Sequence, residues 1–475
     1  MTQVSEFKRK FPRRPFPRLG GSLLIFPALI PLMELVPWLL GLVGAAATLT
    51  PLAVWRQHRK GLLRFAALCF ATALAVWGWK IAHIPTEEEG SRLLAAADWP
   101  KLTPEGAVPA THAEQKQYDA FGPVWSAPLK HEPLAGPTVA GDLLLIGTFD
   151  NTVDAISRAD GKPVWSLKKH EPVFTNPVAV GDRAILGEGL HTAISAGITE
   201  VSLPDGKVIW ERQFLSHVES SPLVDEAQNR LWTGAGDESL WCLDLRDGKA
   251  IWRDRIGHID ATPFIRDGVM YIVAWPDAKV PVTNLIAVDP GNGEVKWSTP
   301  MTGDIMGSPQ PGPDGIILVT TGIGQVGPLT PTDKGWAHAV AADGKLLWSV
   351  ELPTISLPEV SVLAGKGIEI HTLKTGELRA LRIRDGSVAW SRRLGKSFDT
   401  PATVRTDTDP PLLAAITSEG TVSLLNAEDG TEIRRFSVKQ GGYAAPAFDG
   451  DILYITTPRD ITAYGGVHLL TRGTK

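Results

Sequence analysis

His217 and Glu219, and again His258 and Asp260, repeat one arrangement: an imidazole two residues ahead of a carboxylate, then small or polar residues and a Pro, as in HVESSP (217–222) and HIDATP (258–263). Two carboxylates with two imidazoles can hold a divalent cation or act as acid and base. The plainer reading of the same residues is a polar, water-filled funnel mouth. The residues three before each equivalent Pro are Leu134, Phe174, Glu219, Asp260, Met306, Phe398 and Tyr443, with Asp399 one step on. Glu219 and Asp260, with His217, His258, Asp399 and Tyr443, are therefore the candidate cofactor-binding set. His131, His170, His191 and His338 show no metal-ligand spacing, so no metal ligand is assigned from them. No catalytic residue stands out, because neither a Gly-rich phosphate loop nor a Gly-x-Ser-x-Gly turn is present.

What must position these residues is a repeat. A polar-Gly turn with Trp four residues after its Gly recurs as DGKPVW (160–165), DGKVIW (205–210), DGKAIW (247–252), NGEVKW (292–297), DGKLLW (343–348) and DGSVAW (385–390). Trp125 holds the same phase ahead of the first copy, and in DGTEIR (429–434) Arg434 replaces the Trp. Before each turn runs an alternating strand such as TVDAIS (152–157) or TVSLLN (421–426), and Asp-Gly supplies the positive-φ residues of a tight hairpin. The spacing suits four strands and their turns. The sequence thus predicts an all-β propeller of four-stranded antiparallel blades, eight in number, or seven if the final partial unit merges with the first. Trp125, Trp165, Trp210, Trp252, Trp297, Trp348 and Trp390 are expected to be structural, each filling the wedge between neighbouring blades. That phase explains a composition with 16 Trp against 5 Tyr. Arg434 is expected to mark the seam. Pairing the strand around 121–126 with the last strands near 454–464 would close the ring.

The consensus, clearest in IAVDPGNGEVKW (286–297) and HAVAADGKLLW (338–348), resembles the tryptophan-docking repeat of pyrroloquinoline-quinone (PQQ) enzyme propellers. The same repeat occurs in an eight-bladed outer-membrane assembly scaffold that is not an enzyme. The resemblance covers residues 120–466. It implies the fold, and for the enzymes of the family it implies PQQ and calcium. This chain departs from the PQQ alcohol dehydrogenases in having no adjacent cysteine pair, and its units are near minimal except for the Gly/Pro-rich stretch 321–336.

Outside the repeat, residues 1–19 form a basic tail, 20–55 and 62–82 are apolar runs, 83–119 a Pro-containing acidic linker, and 467–475 a C-terminal tail. The second apolar run matches the roughly 20 residues that span a bilayer. Lys8, Arg9, Lys10, Arg13, Arg14 and Arg18, with Arg56, Arg59, Lys60 and Arg64, favour the cytoplasmic side, and Glu87–Glu89 the far side. A hairpin over 20–55 plus a further span would give a multi-pass protein of the inner (cytoplasmic) membrane with its propeller in the periplasm. Two single helices would return the propeller to the cytoplasm. A net charge of −5 with pI about 6.1 argues against nucleic acid as partner. Cys242 reads as a small buried hydrophobe.

Two functions compete. One is a binding or scaffolding module at the bacterial envelope, offering its rims and the 321–336 stretch to envelope proteins. The other is a small membrane quinoprotein oxidising an alcohol or sugar with PQQ and calcium at the Glu219/Asp260 mouth.

Overall fold

Asp-Gly punctuation sets where each hairpin turns, and alternation decides which face of each strand is buried. In the computed structural model, which describes residues 118–471 apart from 191, 192, 194, 276–281 and 324–332, these hairpins assemble into eight antiparallel sheets, each one a blade. In the first blade Thr138–Ala140 is innermost, followed outward by Leu143–Gly147, Thr152–Ser157 and Pro163–Lys168. The next six blades occupy residues 178–214, 223–254, 264–300, 304–352, 361–393 and 403–437. Innermost strands of successive blades touch one another, as in blades 1 and 2, 4 and 5, 6 and 7, and 7 and 8, so they line the axis. The architecture is an all-β, eight-bladed propeller. In the fifth blade the innermost strand is broken into Asp304–Ile305 and Gln310–Pro311, both paired with Ile317–Ile323.

The eighth blade closes the ring with both ends of the described chain. Ala447–Asp449, Ile452–Thr456 and Asp460–Gly465 are joined at the outside by Gly122–Pro128, with Gly122 opposite Gly465 and Pro128 opposite Asp460. This is the closure expected from the sequence, and it settles the blade number at eight. It also corrects the reading of Arg434 as the seam residue. Arg434 lies in Glu432–Ser437, the outer strand of the seventh blade, whereas the closing blade carries Trp125.

Each docking Trp lies against the turn of the following blade. The indole nitrogens of Trp125, Trp165, Trp210, Trp297, Trp348 and Trp390 donate to the backbone carbonyls of Arg158, Leu203, Leu245, Ala342, Ile383 and Ala427. The rings lie under the turn glycines. At Gly206, whose φ is +67°, a Cβ would come within 2.6 Å of the Trp165 ring, so glycine is required both by the turn and by the indole beneath it. Trp252 makes the same contact under Gly293, but its nitrogen has no acceptor, and the Pro290 carbonyl of that turn accepts from Trp232 at 3.0 Å instead. Cross-strand from these Trp stand Ala155, Ala287, Ala339, Ala380 and Ala463, with Cys242 and Glu200 as the exceptions. Cys242 is fully buried and burial pushes its thiol up to about 12, in keeping with a packing role.

Arg434 has no such turn to dock under. The third and outer strands of the eighth blade come from opposite ends of the described residues, so no hairpin joins them. Phe121, Phe436 and Tyr464 fill that junction instead, with centroids 4.7–6.0 Å apart, beside the buried Val467 of the short 3-10 turn Val467–Leu470.

Among the described residues no helix is long and apolar enough to cross a membrane. The apolar runs 20–55 and 62–82, on which the expectation of transmembrane helices rests, lie outside the described residues.

Candidate functional site

In an antiparallel four-stranded blade, the crossover to the next blade and the turn between the second and third strands open on the same face of the ring. His217 sits on the crossover from blade 2 to blade 3, and His258 and Asp260 on the crossover from blade 3 to blade 4. The two crossovers converge. His217 Nε2 lies 3.1 Å from His258 Nε2 and 3.0 Å from Asp260 Oδ1, and His258 Nε2 lies 3.0 and 2.9 Å from the two Asp260 oxygens. Among the described residues this is the one group of three His, Cys, Asp or Glu side chains whose ligand atoms all fall within 4.8 Å of one another.

Backbone holds the trio in place. His258 forms a bridge with Trp275, whose N–H donates to the His258 carbonyl at 2.9 Å. The His217 carbonyl accepts from Gly236 N–H at 3.0 Å. Gly236, in the turn between the second and third strands of blade 3, leaves the space that the imidazole fills: a Cβ there would stand 2.4 Å from His217 Cε1. The His217 side chain is almost fully buried, whereas that of His258 is a quarter exposed and opens the group to solvent.

Glu219 is partly buried and does not join this group, although its repeat position matches that of Asp260. Asp399 is exposed on another blade, and Tyr443 packs edge-on against Phe149 at 5.4 Å. The ring expected at the offset of three residues is interrupted, since Leu134 is buried and Phe398 lies in the core between blades 6 and 7. Sequence reasoning passed over the residues just before the motif Pro. Ser221 N–H donates to Thr262 Oγ1 at 3.0 Å and Thr262 N–H to Ser308 Oγ at 2.9 Å, a ladder running from blade to blade. Its signal was present in the tripeptides SSP, ATP and GSP. Gly324–Thr332 of the expected partner loop lie outside the described residues, and the flanks of that stretch belong to strands Ile317–Ile323 and Lys334–Val340.

The sequence profile of the family "Outer membrane protein assembly factor BamB" matches residues 117–281 and 237–475. The chain belongs to the BamB family. Curated BamB proteins of Moranella endobia and Yersinia pestis are 25% and 24% identical to it over 191 and 186 residues, covering 36% and 37% of this chain and 45% of each relative. The chain thus spans about half the length of the curated relatives it matches. The crystal structure of BamB from Moraxella catarrhalis superposes with a TM-score of 0.55 at 15% identity, over 73% of this chain and all of that one. A quinohemoprotein alcohol dehydrogenase from Comamonas testosteroni does so with a TM-score of 0.56 at 12% identity, over 73% of this chain and 76% of that one. Both likenesses speak for the fold alone.

BamB membership corrects the inner-membrane, multi-pass location. The family is named for the outer membrane, and no helix of the described residues can span a bilayer. Apolar length and flanking charge report whether a segment can cross a bilayer, and carry no information on which membrane it meets.

Among the described residues, the trio and the two clefts do not fit PQQ and calcium. PQQ is a flat tricarboxylate, which calls for cationic partners. On the face that carries the trio, Lys169 is held by Glu211 at 2.8 Å and Thr199 at 2.6 Å, and Lys374 lies 3.9 Å from Asp333. The cleft beside His258, lined by Gly257, Ala274 and Trp275 among others, holds about 180 Å³, below the roughly 300 Å³ at which sites for ligands of that size begin. A second cleft, of about 530 Å³ among the innermost strands, is lined by Asp225 and Glu226 and by no Lys or Arg. Calcium takes six to eight oxygens, whereas the trio offers two nitrogens and one carboxylate.

Proposed function

We propose that this chain is a binding or scaffolding propeller at the bacterial cell envelope, docking envelope proteins on its rims. The observation that carries this reading is the BamB profile match across the whole ring, from residue 117 to residue 475. Short blades support it: the described strands are two to seven residues long, and the repeat hairpins turn at Asp-Gly or Asn-Gly. Attachment to a membrane through the apolar runs at 20–55 and 62–82 belongs to the same reading. The quinoprotein alternative has a fold neighbour in its favour and the residues of the mouth against it.

The test is genetic and biochemical. Deleting the gene in its host should lower the amount of folded outer-membrane β-barrel protein, read as heat-modifiable bands on gels, and the full chain should restore it. An unchanged barrel content in the deletion strain would overturn the assembly reading. Dye-linked dehydrogenase activity of the full chain with added PQQ would revive the alternative.

A further inference from the structure

We propose that His217, His258 and Asp260 bind one d-block divalent cation of the zinc class where the blade 2–3 and blade 3–4 crossovers meet. The inference is independent of the scaffold reading, because it concerns three side chains of this chain and no partner.

The geometry points to a shared ion. Zinc–nitrogen bonds of about 2.0–2.1 Å place adjacent ligand atoms about 3.3 Å apart in a tetrahedron and about 2.9 Å apart in an octahedron. The separations of 2.9–3.1 Å among the two Nε2 atoms and the Asp260 oxygens fall in that interval. Protons satisfy the same arrangement poorly. Even with His217 Nε2–H donating to Oδ1 and His258 Nε2–H to Oδ2, two N–H groups stand side by side with their nitrogens 3.1 Å apart; with one ring deprotonated at Nε2, its lone pair faces the carboxylate. A cation accepts all three lone pairs together.

The donor set selects the metal. Two imidazoles with one carboxylate suit zinc and its neighbours in the first transition row, and disfavour calcium and magnesium, which take oxygen. Three ligands from one chain leave at least one coordination position for water or an incoming side chain. His258, the more exposed ligand, faces that opening. Gly236 is a positioning residue, since only a residue without a Cβ leaves the His217 imidazole its place.

The repeat explains how the site is built from two blades. Blade 3 supplies His217 ahead of its innermost strand, and blade 4 supplies His258 and Asp260 at the matching position. At the matching positions, five and three before the motif Pro, the blade 4–5 crossover has Asp304 and Met306 and the blade 1–2 crossover has Pro172 and Phe174, so the His-x-acid pattern occurs only on these two crossovers.

The experiment uses the untagged full chain, stripped with chelator, reloaded with ZnCl2 and passed through gel filtration before elemental analysis. One equivalent of zinc per chain is expected to remain, and to be lost in His258→Ala and in Asp260→Asn. His131→Ala, which alters a separate His–carboxylate pair with Asp154, should retain it. Co²⁺ in place of Zn²⁺ should give d–d absorption of a low-symmetry nitrogen–oxygen site in the wild type and not in the variants. Should a variant fail to fold, the Co²⁺ spectrum and X-ray absorption of the wild type decide, two imidazole nitrogens in the first coordination shell being the expected result. No retained zinc in the reloaded wild type, or equal retention in wild type, His258→Ala and Asp260→Asn, would overturn the proposal. Neither result bears on barrel assembly in the deletion strain, so the two readings fail separately.

Discussion

The Trp125 ring occupies the space a Cβ at Gly161 would need, with Cζ3 2.6 Å from that position, and so joins the closing blade to the first. Gly161 also has φ +71°, a conformation that costs a side-chain-bearing residue about 1–2 kcal/mol. Gly161→Ala is therefore expected to destabilise the ring by about 2–4 kcal/mol, strain and displaced indole together. Urea unfolding of the full chain measures it. A loss under about 0.5 kcal/mol would show that the indole is not confined.

Arg434 occupies a docking phase with no turn to dock under. Arg434→Trp is expected to leave stability within about 0.5 kcal/mol of the wild type. Phe436→Ala, which opens the Phe121–Phe436–Tyr464 junction, should cost about 2 kcal/mol. A clear gain from Arg434→Trp would mean that the aromatic cluster fills the junction poorly.

How the sequence conveyed the ring follows from these two positions. The docking Trp, the turn Gly and the strand alternation were legible because each is imposed locally, within one unit of the repeat. The pairing of residues near 121–126 with the C-terminal strands was legible from phase. The reason for Arg434 was not, because it depends on two ends of the chain meeting in three dimensions and so removing a hairpin. The candidate site divides in the same way. His217, His258 and Asp260 were visible as repeat-matched polar residues, yet the repeat does not encode which of the two carboxylates joins the imidazoles, and in three dimensions it is Asp260. A ring at the offset of three residues failed at Leu134 and Phe398, both of which are buried, Phe398 in the core between blades 6 and 7. Ser221, Thr262 and Ser308 form the blade-to-blade ladder instead.

Glu200 stands opposite Trp210 where other blades place Ala, and burial raises its carboxyl to about 7 even though Arg183 lies 2.8 Å away. One Glu200 oxygen has no hydrogen-bond partner. An acid whose folded pKa is raised holds its proton in the native state after the unfolded chain has lost it. Its contribution is present below the unfolded pKa and is lost as pH rises from about 4.5 through about 7. Wild-type stability should fall by about 1–3 kcal/mol over that window relative to Glu200→Gln. Chemical denaturation at a series of pH values tests this, and parallel curves for the two proteins would refute it.

His338 gives the opposite slope. Its Nε2 lies 2.8 Å from Thr321 Oγ1, and that hydroxyl donates to the Thr302 carbonyl, so the imidazole is the donor toward Thr321. Its Nδ1 has no partner, and burial holds the ring down to about 4. The unfolded chain binds the proton first as pH falls, so stability is lost from about 6.5 downward through about 4. In NMR titrations the His338 ring resonances are expected to stay in the neutral form at pH values where exposed imidazoles are already charged. Titration of His338 with an ordinary midpoint would disprove the assignment.

Ser126 Oγ and Thr462 Oγ1 meet at 2.9 Å across the closing blade, 336 positions apart in the chain. During translation the strand Gly122–Pro128 leaves the ribosome long before Asp460–Gly465 exists, and it must wait with one sheet edge unpaired. The seven other blades can form in order as they emerge, each from neighbouring sequence. Biogenesis therefore ends in one late, long-range docking event, and that interval is when the nascent chain has most need of a holdase.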